Sequence, residues 1–204
     1  MDASPSRNIQ LSRTVREQFF EAICATLPEI SAAVQDRLTE LIDEPAGARE
    51  NQLRRDVWLA YKKSRSMWVQ GIRNAWQAGV HPVAVQGTPS QPVALSFELV
   101  NEEVVENKII ASRLVFAISE KAGASFDDLR LRMQRLDGLT ELMETDLLRP
   151  GTVVMGLVEQ WSRSGMPVQS WALVSDTAQR LLILRLKDAY QAANATLVAR
   201  GVMP

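Results

Sequence analysis

The chain of 204 residues has one cysteine, one histidine and a formal net charge of only -1. Cys24 cannot form an internal disulfide and offers no cysteine pair to a metal ion. Such cysteine usage fits a reducing cytoplasm, which is the location we predict. A net charge near zero does not indicate nucleic acid or an anionic membrane as the partner. No apolar run approaches the roughly 18 residues that a membrane span needs.

The sequence also has few of the patterns that carry catalysis. His81 is the only histidine and lies in a proline-rich segment, which argues against a Ser-His-Asp arrangement. No G-x-S-x-G, Walker or G-x-G-x-x-G motif occurs. Cys24 lies between Ile23 and Ala25 in an amphipathic pattern, which favours a small core residue over a reactive thiol. We therefore predict no enzyme activity, no cofactor and no metal site.

Proline and glycine divide the chain into long helical patterns with few strand signals, which predicts an all-α fold of six to seven helices. The third helix is unusually long, because no proline occurs between residues 46 and 78, and Gly79 is placed to cap it. We expect N-terminal helices over 1–80, a proline-rich linker over 81–95, and a C-terminal helical bundle over 96–204. The first predicted helix begins after Ser12 and ends at Leu27. The other predicted helices span 28–44, 46–78, 102–121, 126–137, 150–164 and 167–200.

Two short stretches give more detailed expectations. SFDD at 125–128 has the form of a capping box, so it predicts a new helix start at Ser125. LLILRL at 181–186 is apolar nearly all round, so it predicts a fully buried segment in which Leu182 and Leu184 both belong to the core.

The stretch LVNEEVVENKII, residues 99–110, brings Glu102, Glu103 and Glu106 close together after Asn101. Clustered carboxylates suggest a metal site, but a helical bundle would also supply histidine from neighbouring turns. A helix capped by Asn101 explains the acids more simply, because its dipole stabilises carboxylates in the first turn. In 100° steps, Glu102 and Glu106 fall on a narrow polar stripe with Arg113 and Glu120. We expect the apolar remainder of this helix to be buried, including Val104, Val105, Ile109, Leu114, Val115, Phe116 and Ile118.

The same region carries a family resemblance. SFELVNEEVVENKIIASRLV, LRPGTVVMGLVEQW and the closing LILRLKDAYQAANATLVARGVMP resemble a proteobacterial family described as domain of unknown function 1631. The likeness is clear over 95–204 and rests on general character in the N-terminal helices. It implies that the chain is the N-terminal piece of a longer protein or a short member. It brings no catalytic residues. Some relatives occur in cyclic-dinucleotide signalling contexts, but the Arg-x-x-x-Arg ligand motif with its distal partner is not present.

The third helix carries an aromatic stripe with interleaved arginines. Its members, spaced by three and four, are Arg54, Trp58, Tyr61, Arg65, Trp68, Ile72 and Trp76. Protein interfaces are enriched in Trp, Tyr and Arg, so the stripe is a candidate partner-binding or homodimer surface. The alternative is that the aromatics are core and the arginines reach past its rim.

These observations favour a non-catalytic protein-interaction or regulatory module of a larger bacterial cytoplasmic protein, self-associating through the third helix. The alternative is a ligand-sensing domain that binds a nucleotide or second messenger between helices. In that case Arg54, Arg65 or Arg73 would contact the anion.

Overall fold

The computed structural model describes residues 5–82 and 102–203. Across these two ranges the chain is helical with no strand, which confirms the all-α prediction. None of the helices in these ranges combines the length and the hydropathy that crossing a membrane requires. Asn101 and most of the predicted linker lie outside the described residues, as do the side chains of Glu102 and Glu103. The elements are α1 (Pro5–Cys24), α2 (Leu27–Asp43), α3 (Ala48–Ala78), α4 (Glu102–Asp137), α5 (Pro150–Arg163), a 3₁₀ helix (Val168–Leu173) and α6 (Ser175–Ala199).

The first helix begins earlier than predicted. α1 starts at Pro5, a residue suited to the first helical turn. Ser12 is therefore in the helix interior, where it is buried and accepts a hydrogen bond from Arg16. α1 presents Phe19 to the core, and its ring stacks on Tyr190 with 5.2 Å between ring centroids.

The α2–α3 hairpin agrees with the prediction. Pro28 lies in the first turn of α2, and the stripe of Ile30, Val34 and Leu38 is buried. α3 has 31 residues, which makes it about 46 Å long at about 1.5 Å per residue. Gly79 follows as its cap. A Cβ at this position would lie 2.9 Å from the backbone oxygen of Thr145, so the close approach of two backbones requires glycine.

The predicted break between residues 121 and 126 is wrong, because α4 runs through it as one helix of 36 residues. Ile118, Ala122 and Leu129 are all buried and keep helical spacing across the supposed capping box. Asn194 of α6 donates to the backbone oxygen of Ser125 at 2.8 Å, which fixes this turn against its neighbour. Continuous packing outweighs both the local cap signal and the low helix propensity of Gly123 before it.

The start of the last helix is also corrected. Pro167 precedes a 3₁₀ helix, and α6 begins only at Ser175. The 3₁₀ turn places Trp171 edge-to-face with Trp161, with 5.4 Å between their centroids. Within LLILRL, Leu182 is buried but Leu184 is 51% exposed, so the expectation of an entirely buried segment is wrong.

Helices on both sides of the predicted linker build one hydrophobic core. α3 packs against α2 and α5, while α6 packs against α1, α2 and α4. The core therefore joins the N-terminal helices to the C-terminal bundle.

Candidate interaction surface

The aromatic stripe of α3 faces the interior of its own chain. Tyr61, Trp68 and Trp76 are each at most 1% exposed. Their polar atoms donate to backbone oxygens of neighbouring helices: Tyr61 to Ser31 at 2.9 Å, Trp68 to Leu157 at 3.2 Å and Trp76 to Val153 at 2.9 Å. These three predicted partner-binding residues are thus used inside the fold, as the core-packing alternative states.

The interleaved arginines are also engaged within the chain. Arg54 is buried and donates to the backbone oxygens of Leu41 at 2.8 Å and Glu44 at 3.2 Å. These carbonyls end α2 and lack helical partners, so Arg54 caps that helix. Arg65 donates to Ser31 Oγ and Gln35 Oε1 of α2, each at 2.7 Å.

Trp58 is the member of the stripe nearest to a surface role. It is partly exposed, donates to Thr39 Oγ1 at 3.1 Å, and carries the ammonium of Lys62 at 4.5 Å from its ring centroid. Arg73, which the ligand-sensing alternative also invoked, lies over the ring of Phe20 at 5.5 Å. The α3 stripe thus offers only Trp58 and part of Arg65 to a partner.

A buried polar cluster joins α1 to the segment between α4 and α5. Arg16 Nη2 donates to Asp146 Oδ2 at 2.6 Å and to Asp137 Oδ2 at 2.8 Å. Burial acts to lower the pKa of the Arg16 guanidinium, but the hydrogen bonds and charges of Asp146 and Asp137 outweigh it, so the pKa is raised. Asp146 is 0% exposed and also accepts from the backbone N–H of Leu148 at 3.0 Å. With these partners the cluster is a structural clamp.

No group of three or more His, Cys, Asp or Glu residues suited to a metal ion occurs in the two described ranges. Cys24 is buried in the core, where we predicted it. Burial raises the pKa of its thiol to about 11, an effect that nearby Arg73 opposes and Glu21 reinforces. A thiol with this pKa is a poor nucleophile near neutral pH.

The surface that the sequence analysis missed lies on α4. Phe116 is 67% exposed, Ile109 50% and Val105 44%, although all three were expected to be buried. They lie on the side of α4 opposite to its packed residues, and exposed Arg113 and Glu120 lie on that side too. We call these five residues the α4 outer face. Val104, at the start of the helix, is also 44% exposed rather than buried.

The chain matches a known protein family. Residues 7–201 match the family described as "Protein of unknown function (DUF1631) N-terminal domain". The chain belongs to this family. The match extends through the N-terminal helices of the DUF1631 domain, which the sequence resemblance covered only in general character. Comparison with curated proteins and with solved structures gave no significant match.

The α4 outer face of the DUF1631 domain could have been found from the sequence. Small residues such as Ala111 and Ala122 occur in register with Leu114 and Ile118, and this register forms the buried side. Small residues in register with large apolar ones mark a side of a helix that approaches its neighbours closely. Bulky Ile109 and Phe116 fall outside that register, which leaves them on the opposite side.

Proposed function

We propose that this DUF1631 domain is a non-catalytic protein-interaction module and that the α4 outer face is its docking surface. The observation that carries the proposal is the exposure of Phe116, 67%, with Ile109, 50%, on the same side of one helix. Single exposed apolar side chains are common on protein surfaces, whereas contiguous ones mark contact sites. Val105 extends the same side by one further turn.

Burial of these side chains would supply the stability of a contact. Burying a Phe or Ile fully contributes about 1.5–3 kcal/mol relative to leaving it in water. Phe116 stands between the charged side chains of Arg113 and Glu120, so the face has an apolar centre with polar flanks. That arrangement of an apolar core and a polar rim is typical of protein interfaces.

The proposal includes a cellular setting. The single cysteine fits a reducing cytoplasm, and the family resemblance indicates a bacterium. In a longer protein, a domain of this kind would regulate the attached parts by joining them to a partner. Such a role needs a surface and no reaction centre.

Site-specific cross-linking tests the docking surface. A photoreactive phenylalanine analogue at position 116 should give a defined covalent adduct in cells, because the side chain would lie in the contact. The matched control replaces Leu59, which is 50% exposed on α3, by the same analogue. No adduct at position 116, or equal adducts at both positions, would contradict the proposal.

A cavity favours ligand sensing as a second candidate function. Its volume of about 800 Å³ lies in the range of small-molecule sites, and its lining includes Arg13, Arg16, Arg135 and Leu136. Arg16 is held by Asp137 and Asp146, and Arg13 pairs with Glu17 at 3.0 Å, so Arg135 is the lining guanidinium best suited to an anion. In a thermal-shift screen, a mononucleotide or cyclic dinucleotide that binds there should raise the Tm of the domain, and Arg135→Gln should remove this increase. Exposed Arg55 does not line the cavity, so Arg55→Gln is the control. A flat response to the whole set would reject nucleotides.

A further inference from the structure

We propose that the partner of the α4 outer face is a second copy of the same chain, packed antiparallel about a twofold axis close to Phe116. This inference rests on the proposed function, because it names the partner of that docking surface. A twofold interface uses the same patch on both copies, so every contact within it must be matched by the patch itself. The α4 outer face meets this condition in its apolar centre and in its charges.

The charges fix the register. Arg113 lies three residues before Phe116 and Glu120 lies four residues after it, both exposed on the same side of the helix. In an antiparallel pair centred between Phe116 and Ala117, Arg113 of one copy therefore lies opposite Glu120 of the other. Symmetry makes this ion pair twice. If one helix slid along the other by one turn, both charges would be left unmatched, and a slide of two turns would place like charges opposite one another, which disfavours other registers.

These two charged groups are free to act between copies. The ion pairs of α4 in the described parts of the chain join Arg130 to Asp127 and Arg132 to Asp128, and Asp137 to Arg16 of α1. None of them uses Arg113 or Glu120. An intermolecular pair would therefore form without breaking a contact inside either copy.

The apolar contacts agree with the same register. Phe116 meets its symmetry mate near the axis, where two exposed rings can stack or meet edge-to-face. Ile109 of one copy then lies near Gly123 and Ala124 of the other. A Cβ added at Gly123 would meet nothing within 4 Å in its own chain, so there is room for the incoming side chain. Gly123 therefore presents no side chain that would hold the two helices apart at this point.

This arrangement differs from the dimer expected through α3. That expectation needed the aromatic stripe at the surface, and Tyr61, Trp68 and Trp76 are buried within the chain. α4 supplies the exposed aromatic residue instead. Self-association therefore moves from the third helix to the fourth.

The test is a charge exchange followed by sedimentation velocity over a wide range of concentrations. The wild-type chain should form a dimer whose fraction rises with concentration. Arg113→Glu and Glu120→Arg should each raise the dimer Kd by about tenfold or more, because each places like charges opposite one another. The double variant should return the Kd towards the wild-type value. Arg55→Glu, an exposed charge reversal on α3, is the control and should leave the Kd unchanged.

Two results would overturn the inference. One is a wild-type chain that stays monomeric at all concentrations. The other is a pair of weakened single variants that the double variant does not restore, since that outcome excludes the Arg113–Glu120 contact. Circular dichroism of each variant should match the wild type, because both positions are exposed.

The cross-linking result separates this inference from the proposed function. An adduct at position 116 with the mass of two chains supports both. An adduct with a different polypeptide, in a chain that sediments as a monomer, rejects the homodimer and keeps the docking surface. Absence of any adduct at position 116 rejects both.

Discussion

Replacement of Asp146 by alanine tests the buried clamp between α1 and the segment that precedes α5. The Asp146 carboxylate is 0% exposed and receives hydrogen bonds from Arg16 Nε at 3.1 Å and Nη2 at 2.6 Å. It also accepts from the backbone N–H of Leu148 at 3.0 Å. The substitution removes all three contacts and leaves the Arg16 side chain, 7% exposed, with Asp137 as its carboxylate partner.

The expected cost follows from these partners. Breaking a buried ion pair by removing one member costs about 3–5 kcal/mol, because an uncompensated charge stays in the interior. Asp137 remains at 2.8 Å from Arg16, which reduces that term. The buried N–H of Leu148 loses its acceptor, which costs a further 1–3 kcal/mol or so. We therefore expect a net loss of about 3–5 kcal/mol in the free energy of unfolding.

Denaturant unfolding measures this loss. Exposed Glu17, paired with Arg13 at 3.0 Å, is the matched control, and Glu17→Ala should cost no more than about 0.5 kcal/mol. The double variant Arg16→Met with Asp146→Leu should recover about 1–3 kcal/mol relative to the sum of the single variants, since both charges leave together. A loss below about 1 kcal/mol for Asp146→Ala would refute the clamp.

Three further predictions concern the core. Leu182, 1% exposed, should cost about 2–5 kcal/mol in the free energy of unfolding when it is replaced by alanine. Leu184, 51% exposed, should cost no more than about 0.5 kcal/mol. Equal costs in denaturant unfolding would contradict the assigned faces of α6. Gly156→Ala should destabilise the fold by about 1–3 kcal/mol, because the added Cβ would lie 2.8 Å from the Trp76 ring. Gly123→Ala should stabilise it by about 0.5–1 kcal/mol, because alanine has the higher helix propensity. Thermal unfolding in which both variants shift the Tm in the same direction would be inconsistent with this packing. Cys24 should react slowly with a thiol reagent at pH 8 until the chain unfolds, because burial raises its pKa to about 11. The protonated Cys24 thiol should contribute its full share to folding stability below the pKa that it has in the unfolded chain, and this share should fall as the pH rises towards 11. Fast labelling of Cys24 in the folded chain would exclude its burial.

The helices of the N-terminal half show what a single sequence can predict. Pro28 and Gly79 mark element ends through backbone chemistry, and the apolar spacing of Ile30, Val34 and Leu38 marks a buried side. These signals act within a few residues, so they are readable without the fold. The start of α1 was missed because Ser12 resembles a cap, although Pro5 carried the better signal.

Contacts between distant residues were not predictable in the same way. Arg16 and Asp146 are 130 positions apart, and nothing local to either residue indicates the other. The same limit explains why Arg54 was assigned to a partner surface. Its acceptors are the last carbonyls of α2, whose position depends on how the hairpin closes.

The α4 outer face was missed for a different reason. Helical periodicity shows that α4 has apolar residues on most of its circumference, but it does not show which of them have neighbours. That decision is made by α1, α5 and α6, which pack against α4 and bury the side that carries Leu114 and Ile118. Apolar spacing alone therefore does not show that Phe116 and Ile109 are exposed, whereas the small residues Ala111 and Ala122 on the opposite side of α4 do indicate it.

The central position of α6 has a consequence during synthesis on the ribosome. α6 is the last helix of the described chain, yet it packs against α1, α2 and α4, including the stacked pair of Phe19 and Tyr190. The N-terminal helices leave the ribosome first, and their apolar residues Phe19 and Ile23 stay exposed to solvent until α6 has been synthesised and packs against them. Nascent chains with such exposed apolar side chains are prone to misassociation. We therefore expect that the nascent N-terminal helices engage chaperones and that a stall before α6 leaves a chain unable to complete its core.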